Sequence, residues 1–126
     1  MTPGDRRYTN QHQWVKPAED DLLLVGITDF AQEQLGDIEF VELPEVGEEL
    51  EEGEPYGVVE SAKTASDLFT PVDGEVVEVN PATEDDPSVI NTDPYGAGWL
   101  LKIRPNEEDV MDRLMPGSEY AEMVGD

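Results

Sequence analysis

The chain has 126 residues, enough for one domain with its own core, and it has no cysteine, so neither a disulfide nor a thiolate metal site can hold it together. Its 31 acidic residues against 7 lysines and arginines give a net charge of −24. That balance argues against nucleic acid and anionic membrane as partners, because both are polyanions that bind basic surfaces. No basic start and apolar run of a signal peptide leads the chain, and apolar runs such as 22–25 are too short to span a bilayer. The expected location is the cytoplasm.

In chain order, His12 comes first, beside Trp14 and Val15, and reads as a packing residue rather than a ligand. A helix is expected over 29–35, with Asp29 as its cap, Gln32 three residues on, and Gly36 to end it. From Pro44 onward, glycines and prolines punctuate at short intervals, and segments 56–60, 67–70 and 75–79 read as strands. Apolar and acidic residues roughly alternate from Val72 to Val79, as on a half-buried sheet. Glu84-Asp85-Asp86 reads as a solvated loop, since the ligand spacing of a calcium loop is missing. Asn106 can cap a second helix through Glu107, Glu108 and Asp109, giving an expected span of 106–115 that Pro116-Gly117 would stop. Ser118 can cap a last one over 118–124.

Two segments repeat. Pro44-Glu45-Val46-Gly47-Glu48-Glu49-Leu50-Glu51 and Pro71-Val72-Asp73-Gly74-Glu75-Val76-Val77-Glu78 both read Pro-x-x-Gly-Glu-x-apolar-Glu. Turn chemistry alone recurs in β proteins. Two half-units closing one core explain the match better, and they suit a small sandwich with approximate two-fold symmetry.

Such acidity could signal disorder, but the regular apolar pattern argues for a folded chain. It also suits a salt-rich, halophilic cytoplasm. At molar salt the screening length is about 3 Å, so like surface charges hardly repel; in dilute buffer they destabilise the compact state.

Catalytic constellations are absent from the sequence. One histidine and no cysteine leave no thiol nucleophile, and neither Gly-x-Ser-x-Gly nor a phosphate loop is present. No metal site and no catalytic residue are expected. Lys63 stands out instead, as one of three lysines with Lys16 and Lys102. It lies between two strand patterns in Ser61-Ala62-Lys63-Thr64, a spacing that suits a type I turn with small neighbours on either side. A lysine held out on a stiff hairpin can enter a modifying enzyme's active site and there be acylated, which removes its charge and adds an arm. Tethering raises the local concentration of whatever the arm carries. Exposure and spacing alone suit an ordinary solvated turn lysine equally well.

The segments around Lys63 carry a resemblance. Tyr8, His12-Gln13-Trp14-Val15, Val25-Gly26-Ile27-Thr28-Asp29 and Leu35-Gly36-Asp37-Ile38 come first, followed by Phe40-Val41-Glu42-Leu43-Pro44. Then come Val59-Glu60-Ser61-Ala62-Lys63, Ala65-Ser66-Asp67-Leu68, the segment from Pro71 to Asn80, Ile90-Asn91, Asp93-Pro94-Tyr95-Gly96 and Gly98-Trp99-Leu100. In this order and spacing the chain resembles the H proteins of the glycine cleavage system along nearly its whole length. Lipoyl domains also carry glycines sixteen before and eleven after the lysine, which here are Gly47 and Gly74.

The resemblance implies a mostly β barrel-sandwich hybrid, one carrier domain over 1–126, and a lipoyl-bearing hairpin at about 56–70. It implies a non-catalytic shuttle with one covalent lipoic acid, on Lys63. The implied partners are glycine decarboxylase (P protein), the aminomethyltransferase (T protein), dihydrolipoyl dehydrogenase (L protein) and a lipoate-attaching enzyme. Glu60 becomes a candidate for recognition by that last enzyme, and Asp67 a candidate contact for the loaded arm. One position departs: the family usually has an acid where this chain has Gln13, so an amine contact there would be weaker or come from elsewhere. Three rivals remain. A 2-oxoacid dehydrogenase lipoyl domain would usually end in a linker, whereas Trp99-Leu100 and a helical tail end this chain. A biotinyl domain would typically flank its lysine with methionines. An H-like protein that relays lipoyl groups to other complexes is the alternative function.

Overall fold

Turn residues cut the chain into short strands. The computed structural model describes residues 3–107 and 110–125. Strands β1 (Arg7–Tyr8), β2 (Gln13–Pro17) and β3 (Leu23–Ile27) lead to helix α1 (Asp29–Leu35) and then β4 (Ile38–Glu42). Next come β5 (Glu49–Leu50), β6 (Pro55–Ser61), β7 (Ala65–Phe69) and β8 (Gly74–Val79). Two short helices, α2 (Pro81–Asp85) and α3 (Val89–Thr92), precede β9 (Leu101–Pro105), β10 (Met115–Pro116) and α4 (Gly117–Val124). All the pairings are antiparallel, in a seven-stranded sheet ordered β10-β1-β2-β3-β9-β8-β5 and a three-stranded sheet ordered β4-β6-β7. Among the described residues no helix is long and apolar enough to cross a membrane.

The alternation expected around β8 has its cause in the core. Val76 is buried in one cluster with Val15, Val25, Leu101 and Ile103 from its own sheet and Ile38, Val41, Val59 and Leu68 from the other. Each such side chain contributes about 1.5–3 kcal/mol relative to full exposure. A second cluster joins Tyr8, Trp14 and Tyr120. Tyr120 stacks on Tyr8 with ring centroids 4.7 Å apart, which docks α4 on the larger sheet, and the Arg6 guanidinium lies 4.6 Å above the Trp14 ring.

The sequence repeat is also a structural one. Its two copies pair with each other: Glu49 sits opposite Glu75 and Leu50 opposite Gly74. The ladder continues with Val76 N–H donating to Glu48 O at 2.9 Å and Gly47 N–H donating to Val76 O at 2.8 Å. Under the repeat, Glu48 corresponds to Glu75 and Glu49 to Val76, so the pair Glu48–Val76 maps onto the pair Glu75–Glu49. A local two-fold axis therefore runs between the copies. Their glycines serve different ends. Gly47 has φ +95°, where a side chain is strained, and open space around its Cα. Gly74 has no such φ, but a Cβ there would collide with the Ile103 side chain and come within 2.5 Å of Arg104 O.

Local helix signals fared unevenly. α1 spans the expected residues and Gly36 ends it with φ +82°, but Thr28 is its N-cap: Oγ1 accepts from Ala31 N–H at 3.2 Å. Asp29 instead accepts from Gln32 Nε2 at 2.8 Å. The helix expected over 106–115 does not form. Asn106 N–H donates to Asp73 O, Val110–Arg113 makes a single 3₁₀ turn that buries Val110, and Met115–Pro116 is drawn out as β10 to pair with Tyr8 and Arg7. Strand pairing and burial of Val110 override the acidic first turn; Glu108 and Asp109 lie outside the described residues. α4 begins at Gly117, and its N-cap is Pro116, with no side-chain cap from Ser118. Glu84 and Asp85 are exposed as expected, but they belong to α2, which Asn80 caps by accepting from Ala82 N–H.

Candidate functional site

The hairpin of β6 and β7 carries Lys63 at its tip. The strands pair Val58 with Asp67, Val59 with Ser66 and Glu60 with Ala65. Ser61 N–H donates to Thr64 O at 2.8 Å, which leaves a two-residue loop, Ala62-Lys63. Neither residue has positive φ, so the turn is not of the primed kind that matches strand twist. Ser61 compensates: its Oγ accepts from Lys63 N–H at 3.4 Å and Thr64 N–H at 3.3 Å, long bonds that brace the tip from inside. Residues 62–67 are all exposed.

The base of the hairpin is tied to β2. Gln13 of β2 is 2% exposed and uses both ends of its amide there. Its Oε1 accepts from Tyr56 O–H at 2.6 Å, and its Nε2 donates to Phe69 O. Gln13 is therefore an internal tie between the two sheets. A carboxylate at this position would have to face the Phe69 carbonyl without a proton between them.

Charge singles out Lys63 within the hairpin. Lys16 and Arg6 pair with Asp5, Lys102 with Glu19 and Glu78, Arg104 with Glu75, and Arg113 with Glu52 and Glu107. Arg7 donates to Leu114 O. Among the described residues the Lys63 ammonium has neither ion pair nor hydrogen bond. Glu60 and Asp67 share its hairpin but do not pair with it. Glu60 is exposed beside the tip; Asp67 lines an open groove with Glu42, Leu43, Val46 and Val58. The Lys63 stem instead lies over Gly36 at the end of α1, its Cε 3.1 Å from where a Cβ on Gly36 would stand. The role of Gly36 as a helix stop was readable in the sequence. Its contact with Lys63 was not, and neither was Asn91, which bonds to the same loop.

The ring contacts of His12 are with α1 and α4. It has φ 64°, its ring lies tilted against Phe30 with centroids 4.6 Å apart, and its Nδ1 is 2.8 Å from Tyr120 Oη. Tyr120 Oη lies 2.7 Å from Thr28 Oγ1, and burial pushes its phenol up to about 12. Burial also lowers the His12 pKa. Among the described residues no cluster of three metal-ligating side chains forms.

A two-sheet β body that offers one exposed, unpaired lysine on a braced hairpin defines a carrier of the lipoyl-domain type. The sequence model of the glycine cleavage H-protein family matches residues 6–126. Glycine cleavage system H proteins of Bacteroides fragilis and Thermus thermophilus are each 52% identical over 122 residues, covering 97% of this chain and 96% and 94% of theirs. A crystal structure of a glycine cleavage system H protein from Mycobacterium marinum superposes with a TM-score of 0.90 at 51% identity, covering 98% of both chains. The chain belongs to the glycine cleavage H-protein family.

Proposed function

We propose that Lys63 is the attachment point for the lipoyl group of this chain, within a single carrier domain over 1–126 whose lipoyl-bearing hairpin is about 56–70. The chain is the lipoyl-carrying, non-catalytic component of the glycine cleavage system, and its cofactor is covalent lipoic acid. It works with glycine decarboxylase (P protein), the aminomethyltransferase (T protein), dihydrolipoyl dehydrogenase (L protein) and a lipoate-attaching enzyme. When bound, the lipoyl group supplies the disulfide–dithiol chemistry that links the aminomethyl transfer between the first two enzymes to electron delivery to the third.

The observation that carries the assignment is the unpaired Lys63 ammonium in a chain of 31 acidic residues. An ion-paired lysine would have to break that pair before it could shed its proton and be acylated. Small Ala62 and Thr64 leave room for a ligase to close on it. Glu60, exposed on the strand leading to the tip, is the side chain we assign to recognition by that ligase. Asp67, exposed on the return strand, is the carboxylate we assign to the amine of the loaded arm, since Gln13 is neutral and turned inward. The acidic surface is an adaptation to a salt-rich cytoplasm.

Intact mass after expression in a lipoylating host tests the assignment. One added lipoyl group that disappears in Lys63→Arg is the expected result. A group that persists in Lys63→Arg would move the arm to another lysine. Glu60→Gln should slow the modification without preventing folding, and an unchanged rate would remove Glu60 from recognition.

A further inference from the structure

We infer that the carboxyl end of α1 is a positioning seat for the Lys63 side chain, with Gly36 as its floor and Asn91 as the clamp that holds the floor in place. The inference rests on Lys63 being the acylated lysine. Three observations carry it. First, the lysine stem lies over Gly36: Cε, Nζ and Cδ are 3.1, 3.7 and 3.9 Å from the site of a Cβ that Gly36 lacks. A Cβ there would make the stem give by a few tenths of an ångström, and any residue other than glycine would be strained at φ +82°. Second, α1 has no basic residue in its own last turn. The Lys63 ammonium is brought to that end from another part of the chain, where the negative end of the helix dipole favours a cation. This is a weak hold, easily given up, unlike the carboxylate pairs of the other lysines. Third, one side chain braces the floor from below. Asn91 Nδ2 donates to Gly36 O and to Gln32 Oε1, each at 2.9 Å, and Asn91 Oδ1 accepts from Ile38 N–H at 2.9 Å.

The seat holds the amine in one direction before modification, so the ligase meets a placed nucleophile rather than a sweeping chain. Acylation removes the positive charge and with it the attraction to the helix end, so the arm is released after it is attached.

The test uses the full-length unmodified chain. In the wild type, nuclear Overhauser contacts between the Lys63 Hε and Gly36 Hα protons are expected, and they should weaken in the lipoylated chain. Their absence before modification, or their full retention after it, overturns the seat. In parallel, lipoylation by a purified lipoate–protein ligase with lipoate and ATP is followed by intact mass for wild type, Gly36→Ala and Asn91→Ala. Expected is a fall in kcat of about ten-fold in each folded variant, with KM unchanged within about two-fold, because Glu60, the side chain assigned to ligase recognition, is unchanged. If Gly36→Ala does not fold, Asn91→Ala decides, since it removes the clamp without touching the lysine. Wild-type kcat in a folded variant, or a loss confined to KM, overturns the inference. A wild-type chain that the ligase leaves unmodified defeats the assignment of Lys63 instead, and the proton contacts still decide the seat.

Discussion

The Tyr56 hydroxyl donates to Gln13 Oε1 at 2.6 Å, and this bond ties the strand leading to the lysine turn to the opposite sheet. Both residues are buried, Gln13 at 2% exposure and Tyr56 at 7%, and burial pushes the Tyr56 pKa far up, so the hydroxyl keeps its proton and remains a donor. Tyr56→Phe should leave Gln13 Oε1 without its donor and cost about 1–3 kcal/mol in denaturant unfolding. A loss under about 0.5 kcal/mol would mean that the tie contributes nothing net.

The two repeat glycines should respond differently to substitution. Gly47→Ala introduces a Cβ into open space at φ +95° and should cost about 1–2 kcal/mol, much of it recovered by Gly47→Asn, which tolerates left-handed backbone. Gly74→Ala drives a methyl into Ile103 and the Arg104 carbonyl and should cost about 1–3 kcal/mol or more, with no recovery by asparagine. Thermal melting of the four variants checks this. Equal rescue at both sites would contradict the packing account of Gly74.

His12 gives stability a pH dependence of known sign. Burial lowers its folded pKa below the ordinary value of 6.5, and the groups facing it, Tyr120 of α4 and Phe30 of α1, are neutral. The unfolded chain therefore binds a proton more readily. The contribution is fully present above 6.5 and is lost as pH falls through the folded value. Going from about pH 7 to about pH 5.5, wild type should lose more stability than His12→Asn, whose side chain tolerates the positive φ. Matching losses would show that His12 does not titrate between the two states. Asp5 acts lower in the acid range, because its hydrogen bond to Arg6 holds its carboxyl below the usual value.

The net charge of −24 sets the response to salt. Like charges crowd a compact surface more than an unfolded chain, so screening should favour the folded state. The melting temperature should rise from about 0.1 M to about 2 M KCl. A flat response would count against adaptation to a salt-rich cytoplasm.

Where cause and effect lay within a few residues, the sequence alone decided most outcomes, though not the caps of α1 and α4. Gly36 stopping α1, the turn at Ser61-Ala62-Lys63-Thr64, the strands beside it and the turn at Gly47 all follow from turn chemistry and two-residue alternation. Family resemblance then marked Lys63. Tertiary structure decided what long-range contacts control. It turned the segment expected as a second helix into a 3₁₀ turn and β10, because pairing with β1 outweighs an acidic helix start. It aimed Gln13 inward at partners 43 and 56 positions away, and it brought Lys63 onto Gly36 with Asn91 beneath. Such contacts leave no period and no motif in the chain. They exist only once two sheets have closed on one core.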